Sequence, residues 1–460
     1  MPLDHNDRAS RTIELAISRL PAIEPARRRG VLLVNPGGPG GSGLEIPEYI
    51  AQLLSGYPRV VEEFDLVGFD PRFVGRSSPV TCGLTGDDIA ISRWPGAGGF
   101  PAEVAQARMV AQRCGTHAGW AIPYATTADA ARDMDLIRTA LGEPKISYLG
   151  YSYGTTLGRV YAALFPHRVD RFVLDSNTDP LKDGREADRA FGPEFERMLG
   201  LFTSAAARND ARYGLGSDAR EVRRAVDRLV AQAETGLLQV GTKSLTAAEL
   251  RAIVFRLLYA ENRFDLLGRF LGILHNGLPL PANLAFLLNL GRSDSPPPAP
   301  ADNAVAAYFL VECADTKWPT SVARYRIEHA MDSRAYPFFG PATANITPCA
   351  FWPDIERRHQ PSVAGSRVPL LLINSTGDPA TPYRGALTTR RMMPNSRLIT
   401  VPASHHSVLG EYPNACVEAA ATGYLLSGQL PARDLLCVAE PSATRLADSP
   451  QQRLGAVKLT

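Results

Sequence analysis

What this chain lacks narrows its class before any motif is read. No uninterrupted apolar run is long enough to span a bilayer. Lys plus Arg number 49 against 47 Asp plus Glu, a net charge of +2, so there is no electrostatic case for nucleic acid. The cysteines (Cys82, Cys114, Cys313, Cys349, Cys416 and Cys437) include no C-x-x-C, which argues against a zinc site or a thioredoxin-like redox pair. The opening segment, MPLDHNDRASRTIELAI, has no apolar h-region and does not read as a signal peptide. No internal repeat is found.

What remains is a 460-residue chain, 45% hydrophobic and 21% charged, the balance of a globular protein. Its length allows a large core and two or more domains. The even cysteine set, spread through loop-like segments, suits disulfides, with sequential pairing one of fifteen connectivities. Free buried thiols in a cytosolic protein are the other reading. On compartment, the cysteines and the opening segment therefore point in opposite directions.

The chain is organised around residues 145–166, KISYLGYSYGTTLGRVYAALFP. A β-branched and aromatic run leads into Gly150-Tyr151-Ser152-Tyr153-Gly154, and a helix follows with Leu157, Val160, Tyr161 and Leu164 on one face. A Gly-x-Ser-x-Gly between strand and helix is a nucleophile elbow: the turn is so sharp that glycines must flank the strained serine. The hydroxyl of Ser152 is then raised at the positive end of the following helix. Alone the pattern is weak, arising by chance in on the order of 0.2 chains of this length; the strand–turn–helix context strengthens it.

Elsewhere, residues 12–17 (TIELAI) alternate like an edge strand, and 30–35 (GVLLVN), 64–70 (FDLVGFD) and 171–175 (RFVLD) read as strands. Residues 82–124 read as loop-rich, with a Gly/Pro cluster at 95–101, before a helix starts at Thr127. From about residue 180 to 348 long amphipathic stretches dominate (EFERMLGLFTSAAA, AREVRRAVDRLVAQA, TAAELRAIVFRLLYA, FDLLGRFLGILHNG), broken by a Pro-rich loop at 295–301. Strands return at 368–374 (VPLLLIN) and 396–401 (SRLITV), and the tail is polar. The expected fold is α/β: a mostly parallel sheet with helices on both faces and an inserted helical cap. The expected divisions are 1–178 and 349–440 for the sheet domain, 179–348 for the cap, and 441–460 for a tail.

A serine nucleophile needs a base and an acid. In the α/β-hydrolase order the acid follows a late strand and the histidine comes last. Only His405 and His406 follow a late strand near the C-terminus. His406, followed by the small hydroxyl residue Ser407, is preferred as base over His405, though two loop histidines without a catalytic role is the plainer alternative. Asp378, in STGDPATP directly after VPLLLIN, is the acid that would orient the imidazole; an ordinary Gly-Asp-Pro turn is its plainer reading. The run Gly38-Pro39-Gly40-Gly41-Ser42-Gly43 formally matches a dinucleotide fingerprint, but Pro39 and the glycine density read as an extended loop rather than a helix start. No Gly-Lys-Ser/Thr follows, which excludes a Walker loop. The favoured reading is an oxyanion loop, with the Gly38 and Tyr153 amides facing the developing charge.

These residues resemble the secreted tripeptidyl aminopeptidases of actinobacteria, in the proline-iminopeptidase-like group of α/β-hydrolases. The resemblance is carried by NPGGPGGSG (35–43), GFDPRFVGRSSPVTC (68–82), ISYLGYSYGTTLGRVYAALFPHRVDRFVLD (146–175), CAFWP (349–353), GDPATP (377–382) and SHHSVLGEYPNACVEAAATGYLLSGQLP near the C-terminus. It implies an α/β-hydrolase core, a helical cap after Asp175, the triad Ser152, Asp378 and His406, and serine peptidase chemistry at a free peptide N-terminus. It also implies an extracellular protein, with the cytoplasm as the alternative. The chain departs from the family pattern in having Phe73 where a glycine is usual, Ser404-His405-His406 in place of Gly-His, and no export signal.

The expected partners are a peptide or small-molecule ester substrate, with no nucleic acid, no membrane span, no metal and no organic cofactor, acting as a monomer. An exopeptidase must also bind its substrate's ammonium group. Glu312 and Asp315, flanking Cys313, and Glu261 are cap-borne carboxylates suited to that, or else solvated surface charges. The rival classes are an esterase, lactonase or thioesterase with the same triad, and a non-catalytic binding protein on this fold.

Overall fold

The computed structural model describes residues 1–438 except Arg8, 86–93, Ala97, Asp183, Thr242, 290–297 and 355–360. The expected tail and residues 295–297 of the Pro-rich loop fall outside these residues.

The central sheet is built from β1 (Ile17–Leu20), β2 (Gly30–Asn35), β3 (Phe64–Phe69), β4 (Ile146–Tyr151) and β5 (Val169–Asp175). A two-stranded hairpin, β6 (Gln239–Val240) and β7 (Lys243–Ser244), stands apart. The sheet resumes with β8 (Leu370–Ser375), β9 (Arg397–Val401) and β10 (Leu435–Leu436), in the order β1-β3-β2-β4-β5-β8-β9-β10. Every pairing is parallel except that of the edge strand β1 with β3.

β2, β3, β4 and β8 are buried at every position, as strands covered on both faces must be. The period of two splits their side chains between two cores. Val31 and Leu33 pack with Met134 and Leu157 from the helices Thr127–Ala140 and Tyr153–Leu164. Leu32 and Val34 pack on the other face with Ile50, Val417 and Leu425 from the helices Ile46–Leu53 and Ala415–Ser427. This is the expected α/β-hydrolase sheet.

Between β5 and β8 the chain is largely helical, with long helices at Gly184–Ala207, Ala219–Glu234, Ala247–Leu257, Phe264–His275, Asn303–Asp315 and Val322–Ala335. Much of this insertion has its own core, in which Phe195, Phe202, Val226, Leu229, Ile253 and Phe270 are buried together. The capping box of Thr246 with Glu249 and the Asp218 cap on Arg220 and Glu221 amides fix two helix starts locally.

Two expectations are corrected. The edge strand begins at Ile17 rather than Thr12, because the segment before it only bridges Pro2 to Thr12. The stretch read as loop contains a long helix, Gly99–Ala118. Its buried stripe is Ala107, Val110, Ala111, Cys114 and Ala118, at helical spacing but of small side chains, so the apolar signal was faint. The cysteines pair sequentially: Cys82–Cys114, Cys313–Cys349 and Cys416–Cys437. Phe73 adopts a φ of 72°, the region where glycine is at ease, and its ring packs edge-on against Trp120.

Candidate active site

Ser152 sits between β4 and its helix with φ 55° and ψ −122°, outside both regular regions. Contact distances explain the flanking glycines. A Cβ on Gly150 would lie 2.5 Å from the Tyr148 ring and 2.7 Å from the Gly154 carbonyl oxygen; one on Gly154 would lie 2.8 Å from Asn35 Oδ1. The Ser152 amide donates to the Asp175 carbonyl at 3.0 Å, which ties the elbow to β5.

Asp378 leaves the end of β8 and is buried. Its Oδ1 accepts the Ala380 and Thr381 amides at 2.9 and 2.8 Å, and its Oδ2 accepts the Thr381 hydroxyl at 2.7 Å. Both oxygens face His406 Nδ1, at 2.9 and 3.0 Å. A carboxylate accepts only from an N–H, so Nδ1 carries a proton, and in the neutral ring that leaves the Nε2 lone pair free. Burial pushes the Asp378 carboxyl up, but the His406 charge and these hydrogen bonds outweigh it and hold it below the usual aspartate value.

The neighbouring histidine faces elsewhere. His405 is 1% exposed, with Nδ1 2.8 Å from the His406 carbonyl oxygen and its ring against Tyr412. Burial, then the Arg263 charge, pulls it down to about 4, so the ring is neutral at ordinary pH. The structure thus brings His406, not His405, to Asp378.

A residue that the sequence reading used only as a strand end stands behind both loops. Asp175 is fully buried, and its Oδ2 accepts the Val408 and Leu409 amides at 2.9 and 2.6 Å. The next hydroxyl, Ser176 Oγ, accepts the Ser407 amide at 2.7 Å. Consecutive amides after His406 are therefore held by the end of the strand that also takes the Ser152 amide. Burial pushes the Asp175 carboxyl up to about 7 despite these amides. Ser152, Ser176 and Ser407 all have positive φ (55°, 62° and 63°), so backbone strain is concentrated here. Nothing in the local sequence RFVLDS marks that role, since the partners lie more than 200 residues away.

The glycine-rich loop leaves β2 against the elbow. A Cβ on Gly37 would sit 2.6 Å from the Tyr151 carbonyl and 2.9 Å from Ser152 Cβ. Gly38 and Tyr153 line the same cavity as Ser152 and His406, a space of about 2600 Å³ beneath the insertion. The Tyr153 amide opens its helix and so has no partner within it.

The insertion supplies much of the cavity's far wall. Glu312 and Asp315 line it, whereas Glu261 does not. Asp315 accepts the Thr127 amide at 2.8 Å and its hydroxyl, and that hydroxyl meets the Tyr153 hydroxyl at 2.5 Å. The insertion also touches His406 directly. The His406 amide donates to the Tyr259 carbonyl at 2.9 Å, and the Tyr259 ring stands edge-on to the imidazole at 5.4 Å. Tyr259 belongs to an aromatic cluster with Phe195 and Phe255, which sequence periodicity could not connect to His406. Among the described residues no cluster of three or more His, Cys, Asp or Glu side chains is arranged to hold a metal, and no helix is long and apolar enough to cross a membrane.

Residues 30–236 match the family described as the alpha/beta hydrolase fold, and residues 336–437 the family described as TAP-like protein. The tripeptidyl aminopeptidase of Streptomyces lividans is 34% identical, across 96% of this chain and 83% of that protein. Serine protease Hip1 of Mycobacterium tuberculosis is 31% identical across 95% of this chain and 86% of its own length. Carboxylesterase B of the same species is 32% identical across 95% and 85%.

Proposed function

Since the chain belongs to the α/β-hydrolase family that contains the tripeptidyl aminopeptidases, and is a serine hydrolase of that fold, we propose that Ser152, His406 and Asp378 are its catalytic triad and that it releases short peptides, tripeptides foremost, from free N-termini. The observation that carries the triad is the buried, bidentate Asp378–His406 contact opening on the cavity that contains the strained Ser152.

In this reading His406 Nε2 takes the Ser152 proton as Oγ attacks the carbonyl carbon. Asp378 holds the tautomer and stabilises the imidazolium. The Gly38 and Tyr153 amides receive the oxyanion. Collapse breaks the C–N bond as His406 returns the proton to the leaving amine. Water, deprotonated by the same histidine, then releases the acyl group and restores Ser152. Glu312 and Asp315 lie on the cavity wall, where a substrate ammonium would meet negative charge. The disulfides suit an oxidising, extracellular setting.

Fluorogenic amides of one, two and three residues, each with free and acetylated N-termini, test this against the Ser152→Ala protein. The expected result is cleavage of free-amino tripeptides, lost on acetylation and reduced about 10⁶-fold in Ser152→Ala. The likeness to a carboxylesterase gives a second reading, an esterase with the same triad. Refusal of every amide with Ser152-dependent cleavage of simple esters would establish it and sink the peptidase.

A further inference from the structure

Three arginines in the described residues are buried: Arg72, Arg159 and Arg185. Two carry a counter-charge with them. Arg72 grips Asp133 through Nε and Nη2, each at 2.7 Å, and Arg185 Nε meets Glu328 at 2.9 Å. Arg159, on the helix Tyr153–Leu164, forms no ion pair among the described residues. Its donors go to neutral oxygens: the Thr178 hydroxyl at 2.8 Å, the Thr178 carbonyl at 3.1 Å, and the hydroxyls of Thr156, Thr155 and Thr389 at 3.3–3.5 Å. Arg159 is also the only one of the three that lines the cavity containing Ser152.

The electrostatic consequence separates them. Asp133 keeps Arg72 above the ordinary arginine value despite burial, whereas burial pulls Arg159 down to about 10, with only the field of Asp179 opposing it. A buried ion without a counter-charge keeps much of its desolvation cost. A group bearing that cost on a cavity wall is matched to a counter-charge that arrives with the ligand.

We propose that Arg159 is a carboxylate-binding subsite of the cavity, taking an acidic side chain or the free C-terminal carboxylate of the substrate. Two helical turns separate Arg159 from Ser152, about 10 Å along the axis. Both residues line one cavity, so the carboxylate of a bound substrate would lie to one side of the scissile bond. The hydroxyls around the guanidinium fix its plane and leave its charge to the ligand. The subsite rests on the hydrolase reading of the cavity, and it adds that the enzyme prefers anionic substrates.

Binding in the Ser152→Ala protein separates the two claims. Alanine-based heptapeptides with a single Glu or Gln stepped through the sequence, each with a free or amidated C-terminus, are titrated calorimetrically. One Glu position, or the free C-terminus, is expected to bind about tenfold or more tightly than its neutral twin. The preference should vanish on adding Arg159→Gln and survive in part on adding Arg159→Lys, which guards against loss through misfolding. Equal affinities within every pair, absence of binding by any peptide, or a preference that persists in Arg159→Gln would overturn the subsite. Cleavage of the same peptides by the Ser152 enzyme reports separately: a binding preference without cleavage overturns the peptidase reading and leaves the subsite standing.

Discussion

The sheet and the helical insertion contribute to the same cavity by different physics. Ser152, Asp378 and Asp175 sit at the ends of adjacent parallel strands, so the hydrogen-bond register of β4, β5 and β8 sets their spacing. Much of the insertion has a core of its own, and it reaches the site through contacts that include Tyr259 on His406, the Glu261 amide on the Ser404 carbonyl, Arg197 Nη2 on the Gly377 carbonyl and Asp315 on Thr127. The sheet therefore fixes the spacing of the residues proposed to react. The insertion holds His406 through Tyr259 and supplies much of the cavity's far wall.

The sharpest break in that comparison is between the adjacent histidines. His406→Gln should lower kcat about 10⁶-fold at nearly unchanged melting temperature. His405→Gln should instead lower the melting temperature, because it disturbs a buried, hydrogen-bonded ring, while kcat falls far less. The reverse pattern would reassign the base.

Next is the Cys313–Cys349 bridge, which ties the helix Asn303–Asp315 to the turn Pro348–Phe351. Replacing both cysteines with serine frees a loop of 36 residues and should cost about 4 kcal/mol, read as a fall in the denaturant midpoint. An unchanged midpoint would mean that packing alone holds that helix.

Tyr259 tests whether the insertion takes part in chemistry. Tyr259→Ala should lower kcat by up to about 10²-fold through a displaced imidazole, with little change in KM, and Tyr259→Phe should restore most of it. A loss confined to KM would make Tyr259 a substrate contact only.

The smallest expected effect is a pH slope from Asp175. Its carboxyl is raised in the fold to about 7 from an ordinary 3.8, so the folded state keeps a proton that the unfolded chain has released between those values. Its contribution to stability is fully present below about pH 4, declines as pH rises toward 7, and then levels off. The melting temperature of the native protein minus that of Asp175→Asn, followed from pH 4 to 8, should fall across this window. A flat difference would show that Asp175 titrates normally.

Legibility in the sequence followed distance along the chain. The elbow was readable because its strand, glycines and helix are contiguous, and β2, β3 and β8 were readable as continuous apolar runs between turn residues. Asp378 and the His405–His406 pair stood out by their place after late strands. The helix Gly99–Ala118 was missed because its buried face is made largely of alanines. The choice of His406 over His405, the anchoring by Asp175 and the contact from Tyr259 depend on partners far away in sequence, which periodicity does not encode.

By itself the sequence determined most of the order of strands and helices, the sharp turn at Ser152 and the place of Asp378 after a late strand, because each follows from local backbone sterics and patterning. Only the tertiary structure decided which histidine meets Asp378, which carboxylate anchors the loop after His406 and which buried arginine forms no ion pair among the described residues. Those outcomes depend on how burial and hydrogen bonding divide a few polar groups between the protein's interior and one shared cavity.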